Sequence, residues 1–160
     1  MSDLNLNFRL AKVTDLKTLT NIYRQSIHQT ANKLYNQHQV EAWSAFADNF
    51  NNFCDYIFNP QTYVLEKDSK IIAFCGLEMN GHIASFYVHP DHNRQGYGSK
   101  ILNYVLNIGE ESGIKRFFAE ASFLSQPVFS RAGFEVIGIE TVKYEDVFFD
   151  RYQMEKLINN

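Results

Sequence analysis

Cysteine, proline and tryptophan are scarce in this 160-residue chain, at two, three and one. Two cysteines cannot staple a mini-protein. Cys54 and Cys75 form no C-x-x-C pair, so free thiols in a reducing compartment are expected. A basic surplus is also missing. Fifteen Lys+Arg stand against 18 Asp+Glu, a formal net charge of −3, which argues against a dedicated nucleic-acid binder. No apolar run approaches the ~20 residues of a membrane helix. The start, MSDLNLNFRL, lacks the basic-then-apolar order of a signal peptide, and no N-x-S/T sequon occurs. These absences predict a soluble, cytoplasmic protein with neither a membrane nor a nucleic acid as partner.

What is present is apolar mass: 45% hydrophobic residues, with 15% aromatic. A chain of this size buries roughly 70% of its unfolded surface, so bulk disorder is excluded. The length predicts one domain over residues 1–160.

The patterning predicts a first strand over Asn7 to Ala11, then Thr14 as a helix N-cap with Asp15 in the first turn. Leu16, Leu19, Ile22, Tyr23 and Ile27 follow at helical spacing to about Thr30. Asn36 to Asn49 carries Val40, Trp43 and Phe46 on one stripe, a second helix. Asn51 to Phe58 reads as a short third, stopped at Asn59-Pro60. Tyr63 to Leu65 and Ile71 to Phe74 are strand-like and flank a Lys67-Asp68-Ser69 turn. Asn80-Gly81 is the strongest hairpin signal, joining a strand that ends near Met79 to one over Ile83 to His89. Ser99 to Ser112 is helical, with Gly113 placed as a C′ glycine. A strand over Phe117 to Ser122, a short helix over Gln126 to Ala132 and a closing pair, Phe134 to Lys143 and Val147 to Lys156, complete the order. This is an α/β (α+β) pattern: a mixed, mostly antiparallel central sheet of about seven strands with helices on both faces.

One segment carries chemistry. Tyr87 to Ser99 reads strand, loop, two glycines one residue apart, then helix. Amides at a helix N-terminus are free of intrahelical partners and form an anion site with the dipole. Gly96 and Gly98 let a diphosphate approach the backbone. Arg94 adds positive charge and Ser99 a hydroxyl. Two rival phosphate loops fail. A dinucleotide fingerprint needs glycine where Ile101 stands, and a P-loop needs Gly-Lys-Ser/Thr where the order is Gly98-Ser99-Lys100.

The loop, the strand before it and the Ala132-Gly133-Phe134 ending resemble the GNAT superfamily of N-acetyltransferases. The resemblance spans nearly the whole chain, and Glu120-Ala121-Ser122, Phe129 and Met154-Glu155-Lys156 are similar to a branch of small bacterial members. Asn93 departs from the Gln/Arg that opens the family's loop pattern, Gln/Arg-x-x-Gly-x-Gly/Ala. The resemblance implies acetyl-CoA as co-substrate, with no metal. It implies pyrophosphate held by the loop, including Asn93, Arg94, Gln95, Gly96, Tyr97, Gly98 and Ser99. It places the pantetheine arm along Phe86, Tyr87 and Val88, where that strand splays from the next. A backbone N–H near Val88 then serves the thioester carbonyl as an oxyanion donor. Ser122 stands where many members carry a cofactor-contacting asparagine.

Acetyl transfer to an amine needs the neutral nucleophile, and a free alkylamine near pKa ~10.4 is almost all protonated at neutral pH. Glu120 is the first candidate base. It shares a strand face with Ser122. Glu78, near the Asn80-Gly81 turn, is a rival, and a structural ion pair is the bland reading of Glu120. The family's usual acid, a tyrosine four before the glycine of the Gly-Phe pair, is replaced by Phe129, which instead packs on the cofactor arm. Tyr144, Tyr87 and Tyr97 are substitute acids, of which Tyr144 is taken as the candidate; a thiolate also leaves without one. Tyr35, Trp43 and His82 are the acceptor-binding candidates, with Phe46 and Tyr144 completing a pocket wall. His89-x-x-His92 with Asp91 lacks the second ligand pair of a metal site.

The sequence thus predicts transfer of acetyl from acetyl-CoA to a primary amine of a small molecule, directly in a ternary complex. Alternatives are acetylation of a protein N-terminus or lysine, and an acyl-CoA-binding domain without chemistry. A homodimer through the final strands is possible.

Overall fold

In the computed structural model, which describes residues 5–159, the expected stripes are buried. Four strands, β1 (Leu6–Leu10), β2 (Gln61–Lys67), β3 (Lys70–Leu77) and β4 (Ile83–Val88), form an antiparallel sheet in that order. Alternation divides its side chains between two cores. Tyr63, Leu65, Ala73 and Cys75 face one side, while Val64 and Phe74 face the other. Because both faces are covered, Ile71 to Phe74 reads as a continuous apolar run rather than as an alternating strand.

Helix α1 (Leu16–Thr30) buries Leu16, Leu19, Ile22, Tyr23 and Ile27 on one face of this sheet, beside α2 (Gln37–Ala45) and α3 (Phe50–Phe58). Helix α4 (Tyr97–Glu111) buries Ile101, Leu102, Val105 and Leu106 on the other. Truncating any of these buried aliphatics to alanine costs roughly 2–5 kcal/mol. The entry to α1 differs from expectation. Thr14 is not its N-cap; it sits within a short 3-10 turn, Val13–Asp15. The Asp15 carboxylate takes the N-terminal role, accepting from the Lys12 N–H at 2.7 Å and pairing with Arg9 at 2.8 Å.

The three remaining strands, β5 (Arg116–Ala121), β6 (Glu135–Tyr144) and β7 (Val147–Leu157), form a second antiparallel sheet in the order β5-β7-β6. Helix α5 (Gln126–Arg131) joins β5 to β6. The seven strands thus occupy two sheets rather than one continuous one. The reason is local: where β4 and β5 approach, the described residues show one isolated parallel bridge, between His82, just before β4, and Phe118. Two-residue loops, Asp68-Ser69 and Glu145-Asp146, close the β2–β3 and β6–β7 hairpins with positive φ at both positions. That backbone matches the right-handed strand twist. No helix among the described residues is long and apolar enough to cross a membrane.

Candidate active site

The parting of β4 from β5 opens a cleft of about 740 Å³. Its walls include Phe86, Tyr87 and Val88 from β4, Glu120 and Ser122 from the end of β5, and Phe129 from α5. The His89 N–H donates to the Ile72 carbonyl on β3 at 2.8 Å. Period-two alternation therefore aims the Val88 N–H away from β3, toward the cleft.

At the mouth, the loop turns into α4 through Gly96 at φ 84°, with Arg94 also left-handed at φ 60°. The first bond into the helix runs from the Lys100 N–H to the Gly96 carbonyl, 3.1 Å. The amides of Gly98 and Ser99 precede that bond, so the helix supplies them no acceptor. A Cβ on Gly98 would lie 3.1 Å from the Phe86 ring, so only a bare backbone leaves the cleft floor open. Arg94, Gly96, Gly98, Ser99 and Asn93 line the cleft. Asn93 is tied to α1 by its Nδ2, which donates to Thr30 Oγ1 at 3.0 Å. Gln95 and Tyr97 do not line it. Gln95 is exposed and reaches back to the Asp91 carbonyl, while Tyr97 is buried beneath the loop, its ring near Lys67 and His92. Two cations absent from the sequence reading, Lys33 and Arg131, also line the cleft. They are distant from the glycine loop in sequence, and nothing in their own neighbourhoods marks them.

Phe129 is almost wholly buried, edge-on to both Phe86 and Phe134. Ser122 exchanges hydrogen bonds with Ser125 at the start of α5, its N–H donating to Ser125 Oγ at 3.1 Å.

Glu120, His82 and Glu78 come together. Alternation along β5 buries Phe117, Ala119 and Ala121 and puts Phe118 and Glu120 on the opposite face. The His82 ring lies along that face. It stacks on Phe118, with centroids 4.9 Å apart, and its Nε2 meets Glu120 Oε1 at 2.8 Å. Its Nδ1 meets Glu78 Oε1 at 2.5 Å. The Glu120 bond, with help from Glu78, raises the His82 pKa against the opposing effect of burial. The same bond lowers the Glu120 pKa, again against burial. His82 lines neither recess; it stands behind Glu120.

Beyond Glu120 a second recess of about 430 Å³ is walled by Tyr35, Trp43, Phe46, Tyr144 and Phe149. Trp43, Tyr56, Tyr87, Glu120 and Ser122 border both spaces. Tyr35 stacks on Phe123 and accepts its N–H at 2.9 Å. Trp43 Nε1 donates to the Tyr87 hydroxyl at 3.0 Å. Burial pushes the Tyr87 pKa up to about 12, opposed by the Trp43 bond. Burial also raises Tyr144, which stands on the recess wall and not beside the loop. Tyr23 and Tyr56, read from sequence as core or left unremarked, complete the aromatic wall. No cluster of three His, Cys, Asp or Glu that would hold a metal occurs among the described residues. His89 Nδ1 instead accepts the Asp91 N–H at 3.1 Å.

A parted strand pair, a glycine loop opening a helix and a carboxylate between two recesses define an acyltransferase arrangement. The family model of the acetyltransferase (GNAT) domain matches residues 31–156, and the chain belongs to that family. It is an acetyl-CoA-dependent acyltransferase. The uncharacterized N-acetyltransferase YafP of Escherichia coli K12 is 21% identical over 150 residues, covering 94% of this chain and 95% of that protein. Among solved structures, a GCN5-related N-acetyltransferase from Rhodopseudomonas palustris superposes with a TM-score of 0.91 at 22% identity, covering 95% of each chain. PaiA N-acetyltransferase from Thermoplasma acidophilum, in complex with coenzyme A, gives 0.76 at 19% identity, over 95% of this chain and 98% of that one.

Proposed function

We propose that the protein transfers acetyl from acetyl-CoA to the primary amine of a small molecule, directly in a ternary complex, with Glu120 as proton acceptor. The observation that carries this is the position of Glu120, which borders both the loop-side cleft and the aromatic recess. A carboxylate there reaches whatever spans the two.

The cleft suits the co-substrate. Gly98 leaves room over Phe86 that a Cβ would fill. The early α4 amides and the cations Arg94, Lys33 and Arg131 suit phosphates. Bound acetyl-CoA supplies an activated acetyl thioester. The chain does the rest. The Val88 N–H is placed to stabilise charge on a carbonyl oxygen. Glu120 takes a proton from the ammonium form of the acceptor and frees the nitrogen lone pair, a contribution of typically ~10²–10⁴ in rate. Tyr144, on the recess wall, offers a hydroxyl to the acceptor. A thiol pKa near ~8.5 makes a departing thiolate acceptable without an acid.

The small recess and its rings favour a compact amine over a peptide, in the size range of roughly 300–1,000 Å³ typical of small-molecule sites. The free thiols of Cys54 and Cys75 support a cytoplasmic location. The edge position of β6, with Val136, Ile137 and Ile139 exposed, supports pairing with a second copy. The test is thiol release from acetyl-CoA against a panel of small primary amines and two peptides, one with a free N-terminus and one with an internal lysine. Turnover with small amines is expected. Turnover with peptides alone overturns the acceptor class, and coenzyme A binding without any turnover overturns the enzyme reading.

A further inference from the structure

We propose that His82 is a positioning residue for the proton acceptor: anchored by Glu78, its imidazolium ties down one oxygen of Glu120 and leaves the other for the acceptor amine. This rests on the reading of Glu120 as the base.

With both carboxylates ionised, the geometry sets the charge state of the ring. Both ring nitrogens of His82 lie within hydrogen-bond reach of a carboxylate oxygen, Nε2 of Glu120 and Nδ1 of Glu78. An ionised carboxylate only accepts, and a neutral imidazole has one donor nitrogen. Two such contacts therefore require the doubly protonated ring. The neutral ring would turn a lone pair toward one carboxylate at contact distance, and that arm of the clamp would let go.

The hairpin is built to hold the ring there. The Glu78 N–H donates to the His82 carbonyl at 2.9 Å, and the Gly81 N–H to the Glu78 carbonyl at 3.0 Å. Asn80 Oδ1 accepts the His82 N–H at 3.1 Å. Gly81, at φ 95°, lies so close to β5 that a Cβ would fall 1.9 Å from the Arg116 carbonyl oxygen. The Asn80-Gly81 turn thus presses its following residue against β5, where the His82 ring finds Phe118 to stack on and Glu120 to grip. Arg116 occupies the Phe118 ring at 4.6 Å and is itself paired with Glu155. Arg151, which also acts on Glu120, is paired with Glu140 at 2.7 Å. His82 is the cation bonded directly to the base.

The arrangement has a chemical consequence. Without a partner the Glu120 carboxylate would feel only the burial that pushes it toward its neutral form, and its oxygens would not be oriented. With the clamp it stays ionised and oriented. The Glu120 and Glu78 bonds raise the ring's pKa against burial, so the charged form persists to higher pH than in a free imidazole.

Two measurements on the full-length protein test this. The first is the pH profile of kcat for one amine, in the wild type and in His82→Gln. The amine contributes equally to both, so the difference belongs to the enzyme. We expect kcat to fall roughly 10- to 100-fold in the variant, the scale of losing a hydrogen bond to a charged group. KM for acetyl-CoA should stay within about twofold and the acid limb should move to higher pH, since Glu120 loses its cation. A purely structural histidine would lower kcat without moving that limb, and an unmoved limb overturns the proposal. The second measurement needs no turnover: ¹⁵N NMR of the His82 imidazole, in the wild type and in Glu78→Gln, whose substituted side chain is partly exposed. The wild-type ring should be doubly protonated at neutral pH, with a midpoint that falls in Glu78→Gln. A midpoint at or below ~6.5 in the wild type overturns the clamp. The two readings stay separable, because undiminished turnover in Glu120→Gln sinks the base assignment while the NMR titration judges the clamp by itself.

Discussion

Phe118 donates its backbone N–H to the Gly81 carbonyl across 3.1 Å, and from that bond onward β4 and β5 part. One glycine permits it. At φ 95° and against the Arg116 carbonyl, no side chain fits at position 81. The cleft therefore starts from a fixed corner, with Glu120 and His82 within one residue or two of it.

Gly81→Ala should be costly. The new Cβ meets backbone that cannot swing aside, and the left-handed φ is strained for alanine. A loss of about 2–4 kcal/mol is expected from strain plus overpacking. Urea midpoints for the wild type and the variant measure it, and a change below about 0.5 kcal/mol would contradict the packing described.

Gly98→Val should fold and fail to bind. Its side chain would project over Phe86 and Val88, into the space that the loop leaves open. Acetyl-CoA at 100 times its Kd stabilises by about 2.7 kcal/mol, a Tm rise of roughly 5–10 °C for a chain this size. The rise should be present in the wild type and abolished in Gly98→Val, with the unliganded Tm changed by much less.

Glu120→Gln keeps the shape and removes the carboxylate proposed as the base. Turnover should fall by ~10²–10⁴, while the acetyl-CoA Kd from calorimetry should be unchanged within about threefold. A parallel loss of binding would move Glu120 from proton transfer to co-substrate recognition.

Much of this was legible in the sequence, for local reasons. Asn80-Gly81, Lys67-Asp68-Ser69 and Gly96 to Gly98 announce their turns because backbone conformation is written in the residues that adopt it. Buried stripes such as Ile101, Leu102 and Val105 follow from helical period alone. Relations across the strand gap were not legible. His82 and Glu120 are 38 residues apart; the sequence offers one as an acceptor-binding candidate and the other as a candidate base, and nothing in it pairs them. Lys33 and Arg131 reach the cleft from separate helical segments, and no spacing rule links them. The division into two sheets had the same origin: a strand list does not say which neighbours stop pairing. Thr14 is displaced as a cap because Asp15, one residue on, takes the role with a partner, Arg9, on β1.

That Arg9 cluster gives the protein an acid-sensitive tie. Arg9 bonds Asp15 at 2.8 Å and Glu66 at 3.1 Å, fastening the start of α1 to β1 and β2. Arg9 lowers the Asp15 pKa, and Asn7, followed by Arg9, lowers that of Glu66, against burial in both. Carboxylates with depressed folded-state pKa values contribute stability above their unfolded values, near ~4, and lose it as pH falls through the folded ones. Tm should therefore decline below about pH 4, and Asp15→Asn should flatten that decline while lowering Tm at pH 7. Thermal melts from pH 2.5 to 7 decide it; parallel curves for the two proteins would remove the cluster from the acid response.

Trp43 holds the wall of the aromatic recess through its indole N–H. Its Nε1–H reaches the Tyr87 hydroxyl at 3.0 Å, its ring lies edge-on to Tyr35, and the Tyr23 hydroxyl donates to its carbonyl at 2.8 Å. Trp43→Phe keeps a ring in place and removes the donor. The Tyr87 hydroxyl then loses the largest of the three bonds, with Trp43, Tyr56 and Tyr23, that oppose the upward push of burial, and the junction between the recess and the cleft will change shape. KM for the best amine should rise about 5- to 50-fold, on the scale of one neutral hydrogen bond plus lost packing. KM for acetyl-CoA should stay within about twofold, because the phosphate-facing part of the cleft lies beyond Tyr87. Equal increases in both constants would show that Trp43 supports the whole site rather than the acceptor wall, and no increase in either would take it out of the recess altogether.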